Sequence, residues 1–109
     1  MRGIIILRYN SFMNSQQEII NFLHQHQSEL SEKFGIEQLA LFGSFAKEEQ
    51  NERSDVDLLV VKMRKKNALT LIKAKNFISD LLGRDVDLGL LDSLRPFIRN
   101  RVEKEMIYV

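Results

Sequence analysis

Two strand-like segments of this chain open on the same four residues, Asp-Val-Asp-Leu, at Asp55–Leu58 and again at Asp85–Leu88. Aspartate is disfavoured within strands, and residues two apart on a strand project from the same side, so each segment sets two carboxylates next to each other. Each pair leads into a largely apolar run: Leu58-Leu59-Val60-Val61 after the first, Leu88-Gly89-Leu90-Leu91 after the second. A fold that accepts both segments must bury their tails and leave their acidic heads at an open edge of a sheet.

The surrounding chain alternates between helix-like and strand-like stretches. From Ser15 to Phe34, the residues Ile19, Ile20, Leu23, Leu30 and Phe34 recur at helical spacing, and Gly35 stands where a left-handed residue ends a helix. Ile36–Phe42 reads as a short buried strand broken by Gly43-Ser44, and a polar stretch leads to a second strand over Asp55–Val61 with a charged exit at Lys62–Lys66. Leu71, Ala74, Ile78, Leu81 and Leu82 predict a helix over Ala68–Leu82 that stops at Gly83, before a third strand over Asp85–Leu91. A last helix, capped by Asp92 or Ser93, runs to about Glu105, with Pro96 in its first turn and Leu94, Phe97, Ile98 and Val102 on its apolar face. Strands alternating with helices, without a linker or low-complexity tract, predict an α/β (α+β) fold with one sheet covered by helices.

At 109 residues the chain suits one small domain and is too short for a catalytic domain plus a separate acceptor-binding domain. Sixteen Lys and Arg against fifteen Asp and Glu leave a net charge of +1, which provides no field for nonspecific nucleic-acid binding. The absence of cysteine excludes disulfides, thiolate metal sites and a cysteine nucleophile, so a metal here must sit on oxygen or histidine. The apolar run Ile4–Leu7 is far below the roughly 18 residues of a membrane span, which predicts a cytoplasmic protein with no membrane partner. Residues 1–14 read as an N-terminal extension, with Ile4–Tyr9 either an added edge strand or part of a weakly docked arm, and residues 15–109 as the domain proper.

Crowded carboxylates at a strand head call for a cation. Mg²⁺ prefers oxygen ligands and is usually held by one or two carboxylates together with substrate phosphates, which makes Asp55-Val56-Asp57 a clamp and lets a neighbouring strand bring Asp87 to the same place. Gly43-Ser44 comes after a buried strand and precedes a helical turn, a position where a small residue lets phosphate reach backbone N–H groups. Lys47 and Arg53 flank that loop. His24 and His26 stand two apart on a helix and cannot face one metal, so they read as surface residues. Lys62, Arg64, Lys65 and Lys66 have no aromatic residue among them and read as a solvated strand exit.

Gly43-Ser44-Phe45-Ala46, then Ser54-Asp55-Val56-Asp57-Leu58, then Val86-Asp87-Leu88 together resemble the minimal nucleotidyltransferase (MNT) family of the polymerase-beta-like superfamily, over a span from about Ser15 to Tyr108. The resemblance implies a nucleotidyltransferase-like fold, a small mixed β-sheet flanked by helices. It implies that Gly43 and Ser44 hold the triphosphate with Lys47 and Ser54 beside it, and that Asp55, Asp57 and Asp87 are the catalytic and metal-binding carboxylates. The expected cofactor is Mg²⁺, as two ions about 4 Å apart, with ATP as nucleotide substrate and Asp87 also suited to act as general base. Asp85 lies one pair too early for the Val-Asp-Leu match and reads as structural. Family members often carry Arg-Gly where this chain has Lys47-Glu48; the lysine keeps the charge but loses the bidentate fork, and Glu48 adds an acid near the phosphate loop.

The function expected from these residues is transfer of a nucleoside monophosphate, AMP from ATP, to a hydroxyl. Size favours a hydroxyl on a partner protein, and the resemblance names that partner as a helical HEPN-type toxin with this chain as antitoxin. Two alternatives stand beside it: a non-catalytic module that neutralises a helical partner by occlusion, and an aminoglycoside-type small-molecule transferase. A template-directed polymerase would need a duplex-binding domain for which the chain has no room. A homo-oligomer is compatible with the sequence.

Overall fold

The computed structural model describes residues 15–109, so the expected edge strand over Ile4–Tyr9 lies outside the described residues. The element order is α1 (Gln16–Gln25), α2 (Gln27–Phe34), β1 (Ile36–Phe42), the single turn α3 (Gly43–Ala46), β2 (Val56–Met63), α4 (Ala68–Leu82), β3 (Val86–Leu90), a 3₁₀ turn (Leu91–Ser93), α5 (Pro96–Glu105) and β4 (Ile107–Tyr108). The four strands form one mixed sheet in the order β3-β2-β1-β4. β1 runs antiparallel to β2 and β4, while β2 and β3 are parallel, as the α4 crossover between them requires.

Local chemistry sets the helix boundaries. Ser15 and Glu18 form a capping box at the start of α1, each side chain accepting from the other's backbone N–H. Gly35 at φ 70° and Gly83 at φ 72° end α2 and α4 in the left-handed conformation, as predicted. The single helix expected over Ser15–Phe34 is instead two. The backbone leaves the helix at His26, whose ring packs 4.3 Å from that of Phe22 and whose Nδ1 lies 2.6 Å from Glu29 Oε1, three residues into the next helix. Apolar periodicity misses this break because Ile19, Leu23 and Leu30 keep one buried face across it.

Side-chain alternation along β2 gives the sheet two different faces. Val56, Leu58 and Val60 join Ile19, Leu23, Leu30, Ala74 and Ile78 in the main core under α1, α2 and α4. Leu59 faces the other way, into a smaller cluster with Ala40, Leu91 and Met106. By the same alternation Asp57 belongs to this thinner face.

Three further boundaries differ from expectation. β2 continues to Met63, which is buried, so the charged exit begins later than the sequence suggested. α5 starts at Pro96 with Arg95 as N-cap and no side-chain cap bond; Asp92 sits in the 3₁₀ turn and binds Lys66 and Arg99 instead. The tail supplies β4, pairing Ile107 with Leu41 and Tyr108 with Ala40, a strand too short to show a period of two. α5 buries none of its own residues: Phe97 is 73% exposed and Ile98 45%, so only Leu94 and Val102 of the predicted apolar face pack inward. No helix among the described residues is long and apolar enough to cross a membrane.

Candidate functional site

The C-terminal end of β1 meets the N-terminal ends of β2 and β3, and the predicted site residues gather there. Phe42 pairs with Asp57 in the antiparallel ladder, and Asp57 pairs with Asp87 in the parallel one. Asp55 lies one residue before β2 begins. Asp55 and Asp87 are exposed, whereas Asp57 between them is half-buried.

Immediately after Phe42 the chain turns at Gly43, with φ at 74°, into α3. Glycine is required here twice over. The left-handed backbone disfavours any side chain, and a Cβ would collide with Asp57 Oδ2 while standing 3.1 Å from its Cγ. The turn is pinned by Phe45, fully buried in the core, and by Gln16, whose Nε2 donates to the carbonyls of Phe45 (3.1 Å) and Ala46 (3.0 Å). The first N–H groups of a helical turn have no partner within it, so α3 presents donors at its Gly43-Ser44 end.

Crowding leaves an electrostatic mark. Asp57 titrates above the ordinary carboxylate value, first because burial penalises its charge and then because Asp87 and Asp55 repel it. A divalent cation would relieve that repulsion, and the donor set, all oxygen, is the kind such a cation takes. Among the described residues no three His, Cys, Asp or Glu side chains by themselves enclose an ion position. Mg²⁺ is usually held by one or two carboxylates together with substrate phosphates, and the all-oxygen chemistry of Asp55, Asp57 and Asp87 is of the type it takes.

The remaining predicted residues are less free. Ser54 Oγ accepts from Asn51 N (2.9 Å) within its own turn. Lys47 Nζ pairs with Glu105 Oε1 across 3.5 Å, linking the end of α3 to the end of α5. Glu48 adopts φ 57°, the only non-glycine at positive φ among the described residues, so the loop keeps a glycine backbone without the glycine. The basic residues at the end of β2 and just after it are engaged elsewhere, Lys62 and Arg64 with Glu37 and Lys66 with Asp92. His24 is exposed, while His26 is half-buried in its contacts with Phe22 and Glu29.

Sequence reasoning missed Gln16 and Arg84. Gln16 carries no local signal, since its partners lie about 30 residues away. Arg84 had one: it is the cation directly before the second Asp-Val-Asp-Leu. With Arg53, Ser54, Asp55 and Asp85 it lines a groove of about 590 Å³ that reaches Asp55 but is lined by neither Asp57 nor Asp87.

The model of a family described as "Nucleotidyltransferase domain" matches residues 23–109. A Methanocaldococcus jannaschii protein provisionally named a protein adenylyltransferase is 39% identical over 98 residues, 89% of this chain and 100% of that one. The Thermococcus cleftensis protein adenylyltransferase MntA is 37% identical over 97 residues, covering 89% of this chain and 98% of its own. Among solved structures, one of a protein provisionally named a minimal nucleotidyltransferase superposes with a TM-score of 0.72 at 28% identity, covering 86% of this chain and 95% of the other. A complex of tri-AMPylated Shewanella oneidensis HEPN toxin with MNT antitoxin contains a chain of the same fold, with a TM-score of 0.62 at 20% identity over 85% of this chain and 70% of that one.

Proposed function

The chain belongs to the nucleotidyltransferase domain family, and from that premise we propose that it transfers AMP from ATP to a hydroxyl on a partner protein, as the antitoxin of a helical HEPN-type toxin. The observation that carries this reading is the in-register pair Asp57 and Asp87, with Asp55 beside them and the Gly43 turn packed against Asp57. The protein-adenylyltransferase names of its relatives favour AMP and a protein acceptor. The presence of AMP on a HEPN toxin bound to an MNT antitoxin favours the same partner class. Residues 15–109 form the transferase domain in this reading, and residues 1–14 an extension of it.

Each residue has a task in that reaction. Asp55, Asp57 and Asp87 would hold Mg²⁺ together with the triphosphate, and Asp87 would accept the proton of the attacking hydroxyl. Mg²⁺, when bound, neutralises phosphate charge and makes the hydroxyl a better nucleophile. Gly43 and Ser44 cradle phosphate oxygens with backbone donors, and Lys47 and Ser54 border them. The oxygen of the acceptor bonds to the α-phosphorus as the bond to the bridging oxygen breaks and pyrophosphate leaves. Phosphoryl-type transfer asks chiefly for in-line positioning and charge stabilisation, which these groups supply without a covalent protein intermediate. The carboxylates open to solvent, so the docked partner provides the acceptor's wall.

The test is to incubate the chain with Mg²⁺, labelled ATP and a helical HEPN-type protein as acceptor. Label should appear on that protein and vanish when Asp55 and Asp57 are both changed to Ala. Label that survives the double change refutes the site. The occluding-module reading is favoured by one observation, the engagement of Lys47 by Glu105 beside an acidic Glu48. It predicts neutralisation of the partner without Mg²⁺-dependent ATP binding, whereas the transferase reading requires that binding.

A further inference from the structure

α4 ends at Gly83, and the next residue is held at its backbone: Ser79 Oγ donates to Arg84 O across 2.6 Å. From that fixed point the side chain reaches across to two other segments. Arg84 Nη1 donates to Ser54 O at 2.9 Å and to Glu52 O at 3.2 Å, and its guanidinium carbon lies 5.3 Å from the centre of the Phe45 ring. Ser54 directly precedes Asp55, and Phe45 is the buried anchor of α3. Arg84 itself directly precedes Asp85, whose carbonyl accepts from Val56 N at 2.9 Å and so joins β3 to the head of β2.

We propose that Arg84 is a positioning residue of the transfer site, one planar cation that fixes the head of β2, the Gly43–Ala46 turn and the start of β3 relative to one another. It need not touch the nucleotide. The loop from Lys47 to Asp55 has no secondary structure except its own turns, and besides Arg84 the bonds on Ser54, the residue before Asp55, are local ones with Asn51. A guanidinium suits the task because its rigid plane holds Nη1 at the two carbonyls while its central carbon stays near the Phe45 ring, a placement that the flexible stem of a lysine fixes less firmly. Transfer chemistry is sensitive to this tie because a displacement of about 1 Å in a positioning group can lower rate roughly 100-fold.

The inference rests on the AMP-transfer reading for its kinetic consequence but not for its structural one, so the two are read separately. Hydrogen–deuterium exchange on the free chain compares wild type with Arg84→Met and Arg84→Lys. In Arg84→Met, amides from Asn51 to Asp55 should exchange at least about tenfold faster, while those of Leu58, Leu59 and Val60 in the core keep their wild-type rates. With Mg²⁺, ATP and the acceptor protein, kcat should fall at least about tenfold in Arg84→Met with a smaller change in KM for ATP, and Arg84→Lys should recover little of it. Wild-type exchange in Arg84→Met overturns the proposal, as does acceleration spread evenly through the core, which would mark a general stability role. Full recovery of kcat by Arg84→Lys also overturns it, since charge alone would then suffice. A wild-type chain that labels no acceptor defeats the proposed function, while the exchange result still decides whether Arg84 holds the loop.

Discussion

Gly43 and Asp57 pack against each other across the junction of β1 and β2 so closely that a Cβ on Gly43 would fall on the carboxylate of Asp57. One contact thus couples the Gly43–Ala46 turn to the central acidic residue. Two requirements coincide at that glycine, a left-handed backbone at φ 74° and the room for a carboxylate, and each alone would select the same residue.

Gly43→Ala should therefore cost twice. The left-handed conformation disfavours an L side chain by about 1–2 kcal/mol, so urea unfolding should show a loss of that order. Asp57 must also rotate away from its place, and AMP transfer should fall by roughly 100-fold or more, since misplacement of a positioning group is amplified in the rate. An alanine variant with wild-type transfer would mean that the contact has no part in catalysis.

Asp57→Asn separates stability from activity. The folded chain holds the Asp57 proton more tightly than the ordinary carboxylate value of 3.8, owing to burial, Asp87 and Asp55. A raised folded pKa means the folded state carries more proton than the unfolded one between the two values. The contribution of Asp57 to stability is thus most favourable below the unfolded pKa and declines as pH rises through the folded one. At neutral pH the ionised group works against the metal-free fold. Asp57→Asn should raise the thermal midpoint at pH 7, weaken its decline above pH 4, and abolish transfer. Mg²⁺ with ATP should stabilise wild type and not the variant. A variant less stable than wild type at pH 7 would show that repulsion is not what the site stores.

Glu48 carries a side chain at a backbone conformation that favours glycine. At φ 57° it occupies a conformation that costs a non-glycine residue about 1–2 kcal/mol. Glu48→Gly releases that strain, offset by about 0.4–1 kcal/mol for the greater freedom of glycine in the unfolded chain. Chemical denaturation should register a net gain of about 0–1.6 kcal/mol, the difference of those two terms. Removal of an acid beside the triphosphate should also lower KM for ATP. Destabilisation by Glu48→Gly would show that the glutamate side chain holds the loop.

Much of this was legible in the sequence because it was written in local chemistry. Gly35 and Gly83 marked helix ends, the apolar residues of Ala68–Leu82 gave α4 to the residue, and the doubled Asp-Val-Asp-Leu located the edge where β2 and β3 lie side by side. The features that escaped are non-local or too short to carry a period. β4 is two residues long and forms only because β1 offers an edge to the tail. The break at His26 is invisible to hydrophobic spacing. Arg84 and Gln16 act through carbonyls about 30 residues away, and no pattern in a single sequence joins a donor to an acceptor at that distance.

The Lys47–Glu105 pair offers the last prediction, because it sets two uses of one cation against each other. Lys47, beside the Gly43–Ala46 turn, pairs at 3.5 Å with Glu105 at the end of α5, both side chains about half exposed. An exposed pair of this kind contributes about 0–1 kcal/mol, so breaking it should barely change stability. A triphosphate brings far more negative charge than one carboxylate and should draw Lys47 away from Glu105 on binding. Glu105→Gln removes the competitor, and KM for ATP should then fall about two- to threefold at low ionic strength, with the advantage shrinking in 1 M salt, where screening acts within about 3 Å. Lys47→Ala should raise KM instead, and Glu105→Gln should then have no further effect in that background. If Glu105→Gln lowers KM equally with and without Lys47, the glutamate acts by general charge and the lysine is not a phosphate ligand. If neither substitution alters KM, the pair is a surface contact and the phosphates are held by the Gly43 turn alone.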